Sequence, residues 1–303
     1  MDLYLPIAGL SVNWLVIIGL GGIVGILSGM FGVGGGFLTT PLLIFYGIPP
    51  SVAVASSATQ ITGASVSGVL AHAKRDGVDY RMGAVLVAGG ALGSLAGGFA
   101  FRALQATGQI DTVVNILYVL LLGSIGGLMA KEAIGSVWAA RAGRAPKPVK
   151  RHLKIVAALP FRWRFYRSGL YISPLAPAIL GFLTGLLTVL MGVGGGFVLV
   201  PAMIYLLGMS TRVVVGTSLF QILFVTAATT LIHAMTTQAV DIVLAVLLLI
   251  GSVTGAQIGA RLAQKLRPDH LRLALALIVL LVALRMALGL GWRPDEIYTV
   301  QPL

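Results

Sequence analysis

The chain has 303 residues, 57% of them hydrophobic and 10% charged, with a mean hydropathy of +0.98. A soluble domain carries roughly 25% charged residues, so this composition excludes a soluble globular domain and marks a polytopic membrane protein. The net charge of +12 does not point to nucleic acid, because ten of the 21 Lys and Arg residues lie together between Lys131 and Arg167, and the lack of Cys excludes disulfides and thiolate metal sites.

No Lys or Arg precedes the first apolar run, so the N-terminus does not read as a cleaved signal peptide. Residues 14–31 form a first apolar segment whose glycines (Gly19, Gly21, Gly22, Gly25) allow close helix packing. Then comes Gly-Val-Gly-Gly-Gly-Phe, from Gly32 to Phe37, with Pro41 beyond it. Each glycine costs a helix about 1 kcal/mol relative to alanine, so the helix is expected to break here, at membrane depth. Such backbone is tolerated only where protein buries it or where it lines a cavity. The apolar piece from Phe37 to Tyr46 is too short to cross a bilayer, which predicts a re-entrant hairpin or a broken helix pair. After a Gly-Ile-Pro-Pro-Ser turn, Val52–Ala73 reads as a helix about 33 Å long. A polar loop follows, and then spans over Met82–Leu104 and Val113–Ala130.

Residues 131–173 form a basic linker with interleaved aromatics, expected to lie on anionic lipid headgroups as a topology determinant, with a short β-hairpin around Arg167–Gly169. Beyond it the order repeats. A span from about Pro174 to Met191 leads into a second run, Gly192 to Phe197, with Pro201. A short piece ends near Leu207, and spans follow over Val213–Met235, Ile242–Leu266 and Leu271–Leu290. Ser56–Ile61 aligns with Thr217–Ile222, His72 with His233, and Gly89, Gly93 and Gly97 with Gly251, Gly255 and Gly259. The offset drifts only from 160 to 162, which identifies an internal duplication.

Loop charge gives the orientation. Residues 74–81 contain Lys74, Arg75 and Arg81, whereas their repeat partners 236–241 contain no cation. In the next pair of loops the bias is opposite: Arg102 alone against Arg261, Lys265, Arg267 and Arg272. The expected fold is an all-α polytopic membrane protein with two inverted-topology repeats. Each repeat has about five transmembrane or re-entrant helices, with glycine-rich helix breaks. The boundaries are 1–130 for the first repeat, 131–173 for a cytoplasmic linker, 174–290 for the second repeat and 291–303 for a tail. Both termini are then periplasmic.

The duplicated glycine-run-plus-proline motif and the following "GIPPSVAVASSATQ" resemble the TauE/SafE family of sulfite exporters, over about residues 15–290. The resemblance implies a carrier of sulfite or small organosulfur anions in the inner membrane of a bacterium. It brings no residue-level ligand signature, and the long basic linker departs from a minimal family pattern.

The candidate site therefore rests on the residues themselves. Acidic residues fall in loops and termini, which disfavours a metal-cation site and a carboxylate proton relay. The interior instead offers neutral donors and open backbone, which suit an anion. Amides at the helix starts after the glycine runs, from Gly34, Gly35 and Gly36 and from Gly194, Gly195 and Gly196, form the first candidate group. Gln60 and Gln221 come next, then Ser57, Thr59, Thr217 and Ser218 within about one turn of them, all able to donate to oxyanion oxygens. His72 and His233 sit at helix ends, where a satisfied interfacial histidine is the favoured reading and an anion gate the alternative, and Arg285 either attracts the anion or, the favoured reading, snorkels outward. No metal and no cofactor is called for, and no nucleophile and base in the spans suggest an enzyme. The readings are an exporter of a sulfur anion by alternating access, a coupled importer of an organosulfur anion, or an anion channel. Which sulfur anion is carried stays open.

Overall fold

A computed structural model describes residues 2–31, 35–74, 76–141, 162–263 and 268–291. Gly32, Val33 and Gly34 of the first glycine run and residues 142–161 of the linker lie outside the described residues. A β-hairpin of β1 (Asp2–Leu5) and β2 (Leu10–Asn13) leads into α1 (Trp14–Phe31). The half continues with α2 (Gly36–Phe45), α3 (Pro50–Ala73), α4 (Tyr80–Ala106) and α5 (Ile110–Arg141). The second half opens on the expected hairpin, β3 (Trp163–Phe165) and β4 (Leu170–Ile172). Then come α6 (Leu175–Met191), α7 (Gly196–Tyr205), α8 (Thr211–Ile232), α9 (Ile242–Ala263) and α10 (Pro268–Gly291). The protein is an all-α polytopic membrane protein, with five helices long and apolar enough to cross a bilayer among the described residues. The helix ends lie within a few residues of those expected, except that α5 runs on to Arg141.

Local chemistry sets the element ends. Pro49 and Pro50 occupy the N-cap and first turn of α3, where a missing N–H costs nothing. The α4 N-cap Asp79 accepts a hydrogen bond from Met82 N at 3.1 Å, and Asp241 ahead of α9 does the same for Leu244 N at 3.1 Å. Gly192 closes α6 in the left-handed region at φ 70°, the usual helix-ending conformation for glycine.

The short helices do not cross. Gly35 lies against Val24 and Ser28 of α1, and Leu43 and Ile48 share a core with Leu5, Val12 and Ile17. The chain therefore doubles back at the glycine run and returns to the end where α1 began. In the second half Gly195 lies against Thr184 and Thr188, and Leu199, Met203 and Leu207 pack with Phe165, Leu170 and Leu180. Each half thus opens with a helical hairpin formed by its first two helices.

The halves interlock reciprocally. Helix α1 packs on α9, α4 on α6, α5 on α10 and α3 on α8. Gly21, Gly25 and Gly29 meet the backbone of Leu248, Ser252 and Ala256, while Gly89, Gly93 and Gly97 meet Ala178, Phe182 and Leu186. Residue numbers rise together in both sets, so each pair is parallel. Stripes of small residues four apart let backbones touch, the packing lipid-embedded helices use. Helices α3 and α8 run antiparallel, with Thr62 bonded to Thr226 at 2.8 Å and Thr59 to Thr230 at 3.2 Å. Helix α3 contacts five other helices, so its small polar residues face protein.

Candidate substrate site

The described end of the first glycine run, from Gly35, meets the second run. A Cβ placed on Gly36 would lie 2.6 Å from the carbonyl oxygen of Val193, so only glycine allows this approach. Phe37 and Phe197 stack beside it, with ring centroids 4.4 Å apart and planes 12° apart. Ile61 and Ile222 close on Gly194. The ground between the two tips is thus filled by apolar side chains, with Gly36 and Gly194 at a packed contact between the halves and Gly196 buried. Gly34 lies outside the described residues.

Open space lies to one side of that contact. A cavity of about 250 Å³ sits between α1, α3, α8 and α9, lined by Gly35, Ser28, Gln60, Ser65, His72 and Ser252 among others. That is many times the space one water needs, ample for a small oxyanion. Its lining carries hydroxyls, an amide and an imidazole, and none of the lining residues is Asp, Glu, Lys or Arg. Gly35 is the left-handed N-cap of α2, at φ 67°, so the unpaired first amides of that helix begin at the cavity wall. Gln60 is 4% exposed, and its Nε2 donates to Ser252 Oγ at 2.8 Å while its Oε1 has no partner. One amide hydrogen is therefore left to donate into the cavity.

The second half carries the same parts, buried. Gln221 Nε2 donates to Thr184 Oγ1 at 3.4 Å, and Thr184 also lies against Gly195. Gln221, Thr226, Thr229 and His233 are the repeat equivalents of Gln60, Ser65, Gly68 and His72, and each is at most 1% exposed. His233 closes this end. Its Nε2 lies 3.0 Å from Val189 O and its Nδ1 3.2 Å from Thr237 Oγ1, with Phe101 edge-on at 4.6 Å. The backbone there winds into a π-helical turn, His233–Thr237, a feature frequent at functional sites. His72, its counterpart, instead lines the open cavity.

The remaining candidates divide. Thr217 Oγ1 accepts from the backbone of Asp79 at 2.9 Å, and Ser56 does the same for Asp241 at 3.1 Å, so both hold helix starts away from the cavity. Thr59 bonds Ala55 O and Thr230, and Ser218 donates to Val215 O. Ser57 is buried and its hydroxyl lacks a partner. Arg285 lies exposed over the Phe45 ring at 5.4 Å, outside the cavity lining. Asp79 and Asp241 are buried, yet both sit at helix starts, and Asp111 falls in the first turn of α5. Sequence reasoning passed over Ser28, Ser65 and Ser252. The first two were findable: the offset of 161 that pairs the glutamines also pairs Ser65 with Thr226, and the offset of 160 that pairs the glycine runs pairs Ser28 with Thr188.

A family profile described as sulfite exporter TauE/SafE matches residues 17–286. The chain belongs to the TauE/SafE family. Its similarity to curated relatives spans about nine-tenths of the chain. It is 30% identical over 274 residues to a probable membrane transporter protein of Xylella fastidiosa (strain Temecula1), covering 89% of this chain and 93% of that one. It is 26% identical over 283 residues to the probable membrane transporter protein YunE of Bacillus subtilis, covering 90% and 97%. A probable membrane transporter protein of Methanocaldococcus jannaschii is 27% identical over 288 residues, covering 90% and 94%. No solved structure matches the chain. This TauE/SafE chain is a membrane transporter, and its cavity is where a transported solute is to be sought.

Proposed function

We propose that the protein is a secondary transporter that exports sulfite or a related small sulfur-containing anion across the inner membrane by alternating access. The observation that carries this reading is the unequal treatment of equal parts. The glycine-capped helix start, the glutamine and the hydroxyl-bearing helix face occur twice, yet one set lines a cavity and the other is sealed behind His233. Alternating access asks for two such states, exchanged when one half rocks against the other. Neutral donors and helix-start amides without carboxylates select an anion.

The parallel pairing of α1 with α9 and of α4 with α6 supports repeats 1–130 and 174–290 of inverted topology. With residues 131–173 cytoplasmic, both termini are periplasmic and the cavity beside His72 opens toward the cytoplasm. In this state Gly35, Gln60, Ser28, Ser65 and Ser252 hold the anion, and Gln221 with the Gly195 helix start takes that role when the other end opens. A potential of 100 mV, negative inside, favours exit of each negative charge by about 2.3 kcal/mol, so export needs no coupling ion.

Counterflow in proteoliposomes loaded with sulfite tests this. Saturable uptake of labelled sulfite, competed by thiosulfate or small sulfonates and driven by an imposed potential, is the expected result. No flux of any of these anions through folded protein refutes the substrate class, and flux without saturation or counterflow refutes a carrier.

A further inference from the structure

We propose that the β3–β4 hairpin and the start of α4 form a binding site for the phosphodiester headgroup of an anionic membrane phospholipid, in the leaflet at that end of the bundle. A groove of about 550 Å³ lies between them, lined by Arg81, Arg162, Arg164, Trp163, Tyr166 and Tyr171, with Ala84 and Val85 at its foot. The guanidiniums of Arg81 and Arg164 converge on the ring of Tyr166, at 5.4 and 5.7 Å from its centroid. Two like charges drawn to one ring make a place for an anion, and guanidinium forks match phosphate oxygens. No residue lining the groove is acidic. The nearest carboxylates along the chain are engaged elsewhere: Asp76 pairs with Arg167 at 3.0 Å, and Asp79 accepts from Ser168 Oγ at 2.6 Å.

The duplication supplies an internal control. The N-terminal hairpin is the same device at the other end of the bundle. Ile7 N bonds the carboxylate of Asp241 as Ser168 N bonds that of Asp79, and Leu5 and Val12 bury where Phe165 and Ile172 do, while Leu10 is 38% exposed where Leu170 is buried. At the positions of Arg164, Tyr166, Tyr171 and Arg81, however, the first copy has Tyr4, Pro6, Ser11 and Val243. Folding and docking of the hairpin thus need neither the arginines nor these aromatics. Positive charge at one end suits a cytoplasmic loop; the convergence of two arginines on one exposed ring in a groove is what points to a ligand there.

The ligand's second half is written below the arginines. Ala84 and Ala88 are exposed one and two turns down α4, on the side of the span where acyl chains lie, and Trp163, Tyr166 and Tyr171 are 58%, 69% and 63% exposed. Aromatics of this kind sit at headgroup level. Cations above, an aromatic belt at the level of the interface and an apolar flank below fit a lipid, whereas a free phosphate would use only the first.

The test is native mass spectrometry of the purified full chain with phosphatidylglycerol or phosphatidylcholine, for the wild type and for Arg81→Gln/Arg164→Gln. The wild type is expected to bind phosphatidylglycerol at least about tenfold more tightly, and the double variant to fall within about twofold of parity. Arg285→Gln, at a different exposed cation, should keep the wild-type selectivity. Equal wild-type affinity for the two lipids overturns the proposal whether or not the variant folds, as does selectivity retained in a folded double variant. Displacement of phosphatidylglycerol by low-millimolar inorganic phosphate or glycerol phosphate assigns the site to soluble phosphate and overturns the lipid.

Discussion

Gly35 and Gln60 carry most of the chemistry assigned to the cavity, and each can be tested alone. Gly35 holds φ 67°, and a Cβ there would lie 3.1 Å from both Ser28 Cβ and Val24 Cγ1. A left-handed non-glycine residue costs roughly 1–2 kcal/mol, so Gly35→Ala should weaken transport, and Gly35→Leu should abolish it while membrane insertion persists. Counterflow beside a surface-expression assay separates the two effects. Gln60→Leu removes a buried donor with its unpartnered acceptor. A hydrogen bond to a charged group is worth about 1.5–3 kcal/mol, so the apparent affinity for sulfite should fall by tenfold or more, with thermal stability little changed. The glutamine pair was legible because both copies keep it at one offset. Ser252 was not, because its partner Gln60 lies in the other half and only folding brings them together.

At the scale of elements, the docked hairpins and glycine stripes hold the halves in register. Asp79 joins α4 to the β3–β4 turn through Ser168 and caps its own helix through Met82. Asp79→Ala removes a cap worth about 0.5–2 kcal/mol and strands the Ser168 donors, so the melting temperature should drop by several degrees, and Asp241→Ala should act likewise through Ile7 and Leu244. Gly93→Val should be far worse, because a Cβ there would overlap the carbonyl oxygen of Phe182 and force α4 off α6. Loss of the folded monodisperse peak on size exclusion is the readout. The spans and glycine breaks were visible in the sequence as apolar runs and punctuation. The N-terminal hairpin was passed over, although the offset of 160 that pairs the glycine runs also sets Leu5 against Phe165 and Leu10 against Leu170 of the hairpin that was expected. The reversal of α2 was legible only as one of two alternatives, beside a broken helix pair, since the choice depends on Gly35 settling against Val24 and Ser28.

For the molecule as a whole, duplication was the strongest signal in the sequence, and it predicted which helices are equivalent. It said nothing about which end is open. That follows from packing: Thr226, Thr229 and His233 close one end while Ser65, Gly68 and His72 line a cavity at the other. The proposal is that the two ends exchange these roles as the substrate crosses. Because the chain has no Cys, single cysteines report on this without background. The decisive measurement is the labelling of Ser65→Cys and Thr226→Cys in oriented membranes by a membrane-impermeant thiol reagent, from each side, with and without sulfite gradients. The account predicts that Ser65→Cys reacts only from the cytoplasmic side and Thr226→Cys only from the periplasmic side, with sulfite shifting the two rates in opposite directions. Labelling of both positions from the same side, or a Thr226→Cys that stays unreactive throughout turnover, would contradict it.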